Sequence, residues 1–162
     1  APFTYVADKD DNVFRRSLCT YWRRGMPPPQ MSIMNAPSRE FCVSCRERTN
    51  TPLQALLLMN EEEYFKAAKT MAKAILEETR DVGTGLSLAY ETITSHEPDS
   101  KRIELMKSAL ADFEELYSSD HDLTESLTSE LGSDRIDRRV QVAAWTMMTH
   151  SLLNLELAKV RR

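Results

Sequence analysis

Glycine is scarce in this chain. Only four occur in 162 residues, and three of them, Gly83, Gly85 and Gly132, fall where helical patterns break. That distribution suits an all-helical fold. Long apolar runs are missing too: no stretch reaches about 18 residues, which excludes a membrane-spanning helix and membrane insertion. The opening APFTYVADKD has neither the basic nor the apolar region of a signal peptide. It also has no initiator methionine, so the chain is expected to be a piece cut from a longer protein.

The common catalytic signatures are absent as well. There is no G-x-G-x-x-G and no P-loop, so nucleotide binding has no support. No G-x-S-x-G elbow marks a serine nucleophile. His96, His121 and His150 are never four apart, so no metalloprotease-like pair exists. His121 lies between Asp120 and Asp122, a pattern that reads as an exposed acidic turn before it reads as a cation site. Neither sign of charge dominates, the net being −4. Residues 1–50 carry eight Lys/Arg against five acids, or +3, which leaves −7 for residues 51–162. Without a continuous basic face this does not make a nucleic-acid surface, and docking of acidic helices explains it equally well.

What is present is helical periodicity. Asn12 to Arg24 places Phe14, Leu18, Tyr21 and Trp22 at helical spacing between arginine pairs, after a polar lead-in over residues 1–12. MPPPQMSIMNAPSRE then holds four of the seven prolines. It reads as an extended arm, with Met26, Met31, Ile33 and Met34 packed down rather than as helix. Helix begins at Thr51, an N-cap followed by proline at the first helical position. Asn60 is expected to cap the next helix, with Glu63 as its capping-box partner. That helix, Glu61 to Glu78, carries Tyr64, Ala68, Met71 and Ile75 on one face.

Gly83 and Gly85 separate it from a helix lined by Leu86, Ala89, Tyr90 and Ile93. Ser100 caps another, with Met106, Ala109, Leu110, Phe113 and Leu116 inward. A shorter one runs through Leu123, Leu127 and Leu131. From Asp134 to Val160 there is no Gly or Pro. Two neighbouring stripes, Ile136/Val140/Ala143/Met147 and Ala144/Met148/Leu152/Leu155, make this the longest and central helix. The expected fold is all-α: a bundle of about five to seven helices with an extended proline-rich N-terminal arm and a long central C-terminal helix. As domains, residues 13–162 form one helical unit, residues 13–50 contributing the arm and loop and residues 51–162 the bundle.

The chemistry-bearing residues gather in CVSCRERTNTPLQALLLMN. Cys42 and Cys45 form a C-x-x-C without the following histidine of a haem attachment site. With Cys19 the thiols number three, too few for a structural zinc site, so no metal is expected. Structural thiols or a local disulfide are favoured over metal or redox roles. Arg46, Arg48, Asn50, Thr51 and Gln54, with Asn60 beside them, form a polar cluster with two readings. It staples the loop to the bundle, against Asn154 and Glu156 of the last helix, or it binds an anionic group near the helix start. The staple is favoured. Asn154, among leucines, needs a partner of its own.

RRSLCTYWRRGMPPP, NAPSREFCVSCRERTNTPLQALLLMNEEEYFKAAKTMA, AYETITSHEPD and AAWTMMTHSLLNLELAKV occur in this order. Together they resemble the C-terminal part of a planctomycete family of domains of unknown function, number 1553, from about Arg15 onward. Cys42, Arg46, Arg48, Thr49 to Leu56 and Asn154 fall on the family's motif. Cys19 stands where tyrosine is usual, Cys45 where arginine is usual, and His96 where arginine is common. The resemblance implies a large exported multidomain protein of the periplasm or cell envelope, often with a cytochrome-c-like domain upstream. Any haem would then lie outside these residues, and no cofactor is expected within them. No catalytic residues can be carried over.

The function expected is therefore a non-catalytic structural or interaction module, its partner being its own upstream domains or an envelope protein. The alternative is part of an active site acting on polysaccharide or another organic substrate, coupled to the cytochrome-like domain. Arg46, Arg48, Asn50 and Gln54 would then contact the substrate. A redox element at Cys42 and Cys45 is a third possibility.

Overall fold

The structure, a computed structural model, describes residues 20–22, 25, 27–38, 40–45, 47, 49–129 and 135–159. Among these are eight helices and no strand: α1 (Pro29–Ile33), α2 (Pro52–Asn60), α3 (Glu62–Glu78), α4 (Val82–Thr94), α5 (Ser100–Ser119), α6 (His121–Thr128), α7 (Ile136–Leu153) and α8 (Glu156–Lys159). The fold is all-α. The count exceeds the expected five to seven because α1 and α8 are short turns of helix that periodicity does not reveal. The chain divides into two compact units, Ala1–Leu57 and Leu58–Arg162, with the division inside α2.

In the first unit, the polar lead-in and most of the helix expected over Asn12 to Arg24 lie outside the described residues. Thr20, Tyr21 and Trp22 are described and are not helical. The proline arm is not wholly extended, because α1 sits within it. Pro29 takes the first helical position, where a missing N–H leaves nothing unpaired. Met31, Ile33 and Met34 are half-buried, as expected; Met26 lies outside the described residues.

In the second unit, α7 packs against α3, α4, α5, α6 and α8. Ten of its residues from Val140 to Leu152 are buried, on more than one face, the pattern of a helix with neighbours on several sides. Ala68, Ala72, Ala143 and Ala144 are fully buried. At Ala68 the approach of α3 to α7 is close enough for Thr149 Oγ1 to donate to its carbonyl at 2.9 Å. Leu86, Tyr90, Met106, Leu110, Tyr117 and Trp145 fill the space between helices. Each such side chain contributes about 1.5–3 kcal/mol on burial.

Several expectations are corrected. Gly83 and Gly85 do not separate helices but lie in the first turns of α4, which Asp81 caps by accepting the Thr84 N–H at 2.8 Å. Asp99, not Ser100, caps α5, accepting the Arg102 N–H at 2.7 Å. Glu61, not Asn60, occupies the N-cap position of α3 and makes no side-chain cap bond. On α5 Leu116 is exposed and Tyr117 is buried in its place.

The helix expected over Asp134 to Val160 is not the longest, since α7 ends at Leu153 with 18 residues against 20 in α5, and a separate short α8 follows. Helix α7 spans about 27 Å at about 1.5 Å per residue. It stops because the chain tightens at Asn154 and Leu155, whose N–H groups donate three residues back to Ser151 and Leu152. Leu131 and Gly132, expected in α6, lie outside the described residues.

Candidate functional site

The residues that the sequence singles out lie mostly in the first unit, between α1 and α2. Helix α1 ends with Asn35 at φ 53°. Its N–H donates to Ser32 O, and the Ala36 N–H reaches back to Met31 O at 2.8 Å. This is a Schellman ending, with asparagine in the left-handed position that glycine usually takes. It leaves the Ile33 carbonyl without a helical donor.

The start of α2 supplies that donor. Thr51 and Gln54 form a reciprocal capping box: Thr51 Oγ1 accepts the Gln54 N–H at 3.3 Å, and Gln54 Oε1 accepts the Thr51 N–H at 3.1 Å. The side-chain amide of Gln54 then donates to Ile33 O at 2.9 Å and to Thr49 Oγ1 at 2.8 Å. Thr49 Oγ1 also accepts from Asn35 Nδ2 at 2.6 Å. Gln54 is 4% exposed, and both its amide hydrogens and its carbonyl are engaged. The network latches the end of α1 to the start of α2 and leaves no group on Gln54 for a ligand. Asn35 and Thr49, which complete it, stand outside the cluster read from sequence. The signal for Asn35 was an asparagine just after a short apolar run, a recognised helix stop.

The other expected site residues do not join this network. Asn50 is exposed, and Arg46 and Arg48 lie outside the described residues. Cys42 and Cys45 are exposed and unbonded. Cys19 lies outside the described residues. In the second unit, Asn154 Nδ2 donates to His150 O one turn back in its own helix, at 3.0 Å. Its Oδ1 is buried and accepts no hydrogen bond among the described residues.

His96 and His150 serve local structure. His96 Nδ1 lies 2.6 Å from Thr94 O in the turn after α4. His150 Nε2 lies 3.2 Å from Leu58 O, and its ring stands edge-on to Phe65 at 5.3 Å between centroids. His121 borders a shallow groove of about 370 Å³ together with Glu114 and Asp137. Among the described residues, no three His, Cys, Asp or Glu side chains come together to hold a metal ion. No described helix is long and apolar enough to cross a membrane.

Neither the curated proteins nor the solved structures contain a match to this chain. A family model does match, over residues 2–110. That range starts before Arg15 and ends within α5, so it takes in the whole latch and excludes α7, where the sequence also resembled the family. Because the match covers well over half of the chain, the chain belongs to the family PSD1, described as Protein of unknown function (DUF1553).

Proposed function

We propose that this chain is a non-catalytic structural or interaction module of a multidomain protein, exported to the cell envelope of a planctomycete. In this reading its signature segment docks against a domain that precedes it in the same polypeptide. The observation that carries the proposal is how the segment divides its groups. Gln54 and Thr49 turn inward and bond within the chain, while apolar side chains face out. Phe41 is 70%, Leu53 56% and Leu56 54% exposed. A site for a polar substrate would show the reverse, and exposed apolar side chains such as Leu53 and Leu56, about one turn apart on α2, suit a protein partner. The family resemblance supports an upstream cytochrome-c-like domain as that partner, and any haem would belong to it.

The test is to produce the upstream region separately, mix it with this chain, and run size-exclusion chromatography with light scattering. Co-elution as a complex is expected, and Leu53→Glu with Leu56→Glu should abolish it while leaving the chain's circular dichroism unchanged. If the two elute apart, the docking reading fails, and Arg46 and Arg48 become the residues to screen for an anionic ligand.

A further inference from the structure

Residues 36–48 join the latched stems, and the described ones among them lie in neither helix nor strand. The Asn35–Thr49 and Gln54–Ile33 bonds hold the two stems together, so the segment is a loop closed at its base. Cys42 and Cys45 lie within it, both exposed and both free. The described residues of 37–47 make one hydrogen bond, from the Glu40 N–H to Ser38 Oγ at 3.4 Å. No helix or ladder therefore fixes the backbone between the two thiols, and the chain already bends at Ser44 and Cys45. Residues three apart in a turn bring their Cα atoms within about 7 Å. A disulfide needs about 4.4–6.8 Å. No fixed structure between Cys42 and Cys45 opposes that approach, and the two-residue connection keeps each thiol close to the other in chain length, which gives it a high effective concentration.

We propose that Cys42 and Cys45 form a thiol–disulfide exchange site. It cycles between the exposed dithiol and an intramolecular disulfide, with a low-molecular-weight disulfide as oxidant. One cysteine, as its thiolate, attacks a sulfur of the small disulfide and expels one small thiolate, which takes up a proton. The other cysteine loses its proton to water and attacks the mixed disulfide, forming the Cys42–Cys45 bond and expelling the second small thiolate. Two protein thiols are oxidised and one small disulfide is reduced to two thiols. The reaction does not depend on the docking role proposed above.

The chain suits a direct test, because trypsin cutting after Arg39 and Arg46 releases residues 40–46 with both cysteines and no other. Cys19 falls in a separate peptide, residues 17–23. The reduced full chain is equilibrated with glutathione disulfide and glutathione at a series of ratios, quenched in acid, alkylated, digested and weighed. The expected result is a 40–46 peptide lighter by two hydrogens, carrying neither alkyl group nor glutathione, and restored to two alkylated thiols by reductant.

In Cys42→Ser and Cys45→Ser, the remaining cysteine should instead retain glutathione, on the order of ten-fold more than in the parent chain. The proposal is overturned if the parent peptide keeps two alkylatable thiols at every ratio. It is equally overturned if that peptide carries glutathione at the level of the single variants, or is found joined to the Cys19 peptide.

Discussion

Gly85 shows how one missing methyl group decides the packing of two helices. A Cβ at that position would stand 2.8 Å from the ring of Trp145, 3.2 Å from Ile75 and 3.3 Å from Thr79. Trp145 and Ile75 are buried and have little room to retreat. Gly85→Ala should therefore destabilise the chain by about 1–3 kcal/mol through overpacking. Gly83, two residues earlier in the same helix, meets nothing nearer than 3.4 Å. Gly83→Ala should be neutral or stabilise by up to about 1 kcal/mol, the helix propensity gained. Urea unfolding of the two variants checks both signs at once, and equal destabilisation by both would refute the packing argument.

Gln54 is the corresponding polar case. Gln54→Ala leaves the Ile33 carbonyl and the Thr51 N–H without their side-chain partner, at a cost of about 1–3 kcal/mol. Asn50→Ala, at an exposed neighbour, should stay within about 0.5 kcal/mol. Limited proteolysis of the 36–48 segment reads the difference, since the Gln54 amide bonds to Ile33 and Thr49 tie together the two chain stems that flank it. Cutting at equal rates in the two variants would sink the latch.

At the scale of elements, the caps explain both what could be read in advance and what could not. Thr51 with Pro52 is a strong start signal and lies where expected. Asp81 was missed because Gly83 and Gly85 resembled a break, although a good cap and a close packing partner outweigh the propensity cost of two glycines. The apolar stripes of α3 and α4 were legible from period alone, and so was the middle of those of α7, whose expected ends differ: Ile136 is exposed, and Leu155 is exposed and lies past the helix. Helix α6 was harder, because Thr124 and Thr128 are buried while Leu123 is exposed. Thr124 donates to Tyr117 O at 2.6 Å; Thr128 donates to Thr124 O at 2.6 Å and accepts from Arg139 Nε at 2.9 Å. A satisfied hydroxyl behaves as a small apolar group, and hydropathy cannot see the satisfaction.

The Asp81 cap also sets a pH dependence. The Thr84 N–H, then its hydroxyl and the charge of Lys107, hold the carboxyl below its ordinary 3.8. A folded pKa below the unfolded one means that the unfolded state binds the proton more readily. The stabilisation is then fully present above the unfolded value and is lost as pH falls through the folded one. The gap in melting temperature between the parent chain and Asp81→Asn should be constant above about pH 5 and narrow below it. A gap that widens in acid would show the sign to be wrong.

For the whole molecule, the sequence pointed to a central final helix through its two adjacent stripes, and α7 occupies that place. Its early end at Asn154 depends on backbone tightening that composition does not encode. The T-N-T-P-L-Q segment was visible as a motif, but its use was not. Which atoms Gln54 engages depends on Ile33 and Asn35, brought near only by the fold.

These contrasts should govern how protection from hydrogen exchange is distributed. The described amides of residues 37–47 make no backbone hydrogen bond, whereas those of 142–152 lie in a helix most of whose residues are buried. Exchange followed by mass spectrometry should find the loop deuterated within seconds. The α7 amides from Val142 to Leu152 should exchange last, through opening of the second unit as a whole. Since Trp145, Met148 and Thr149 hold α7 to its neighbours, Trp145→Ala should accelerate exchange throughout the second unit and leave the loop unchanged. If α7 lost its protection as early as the loop, it could not be the element around which the second unit is built.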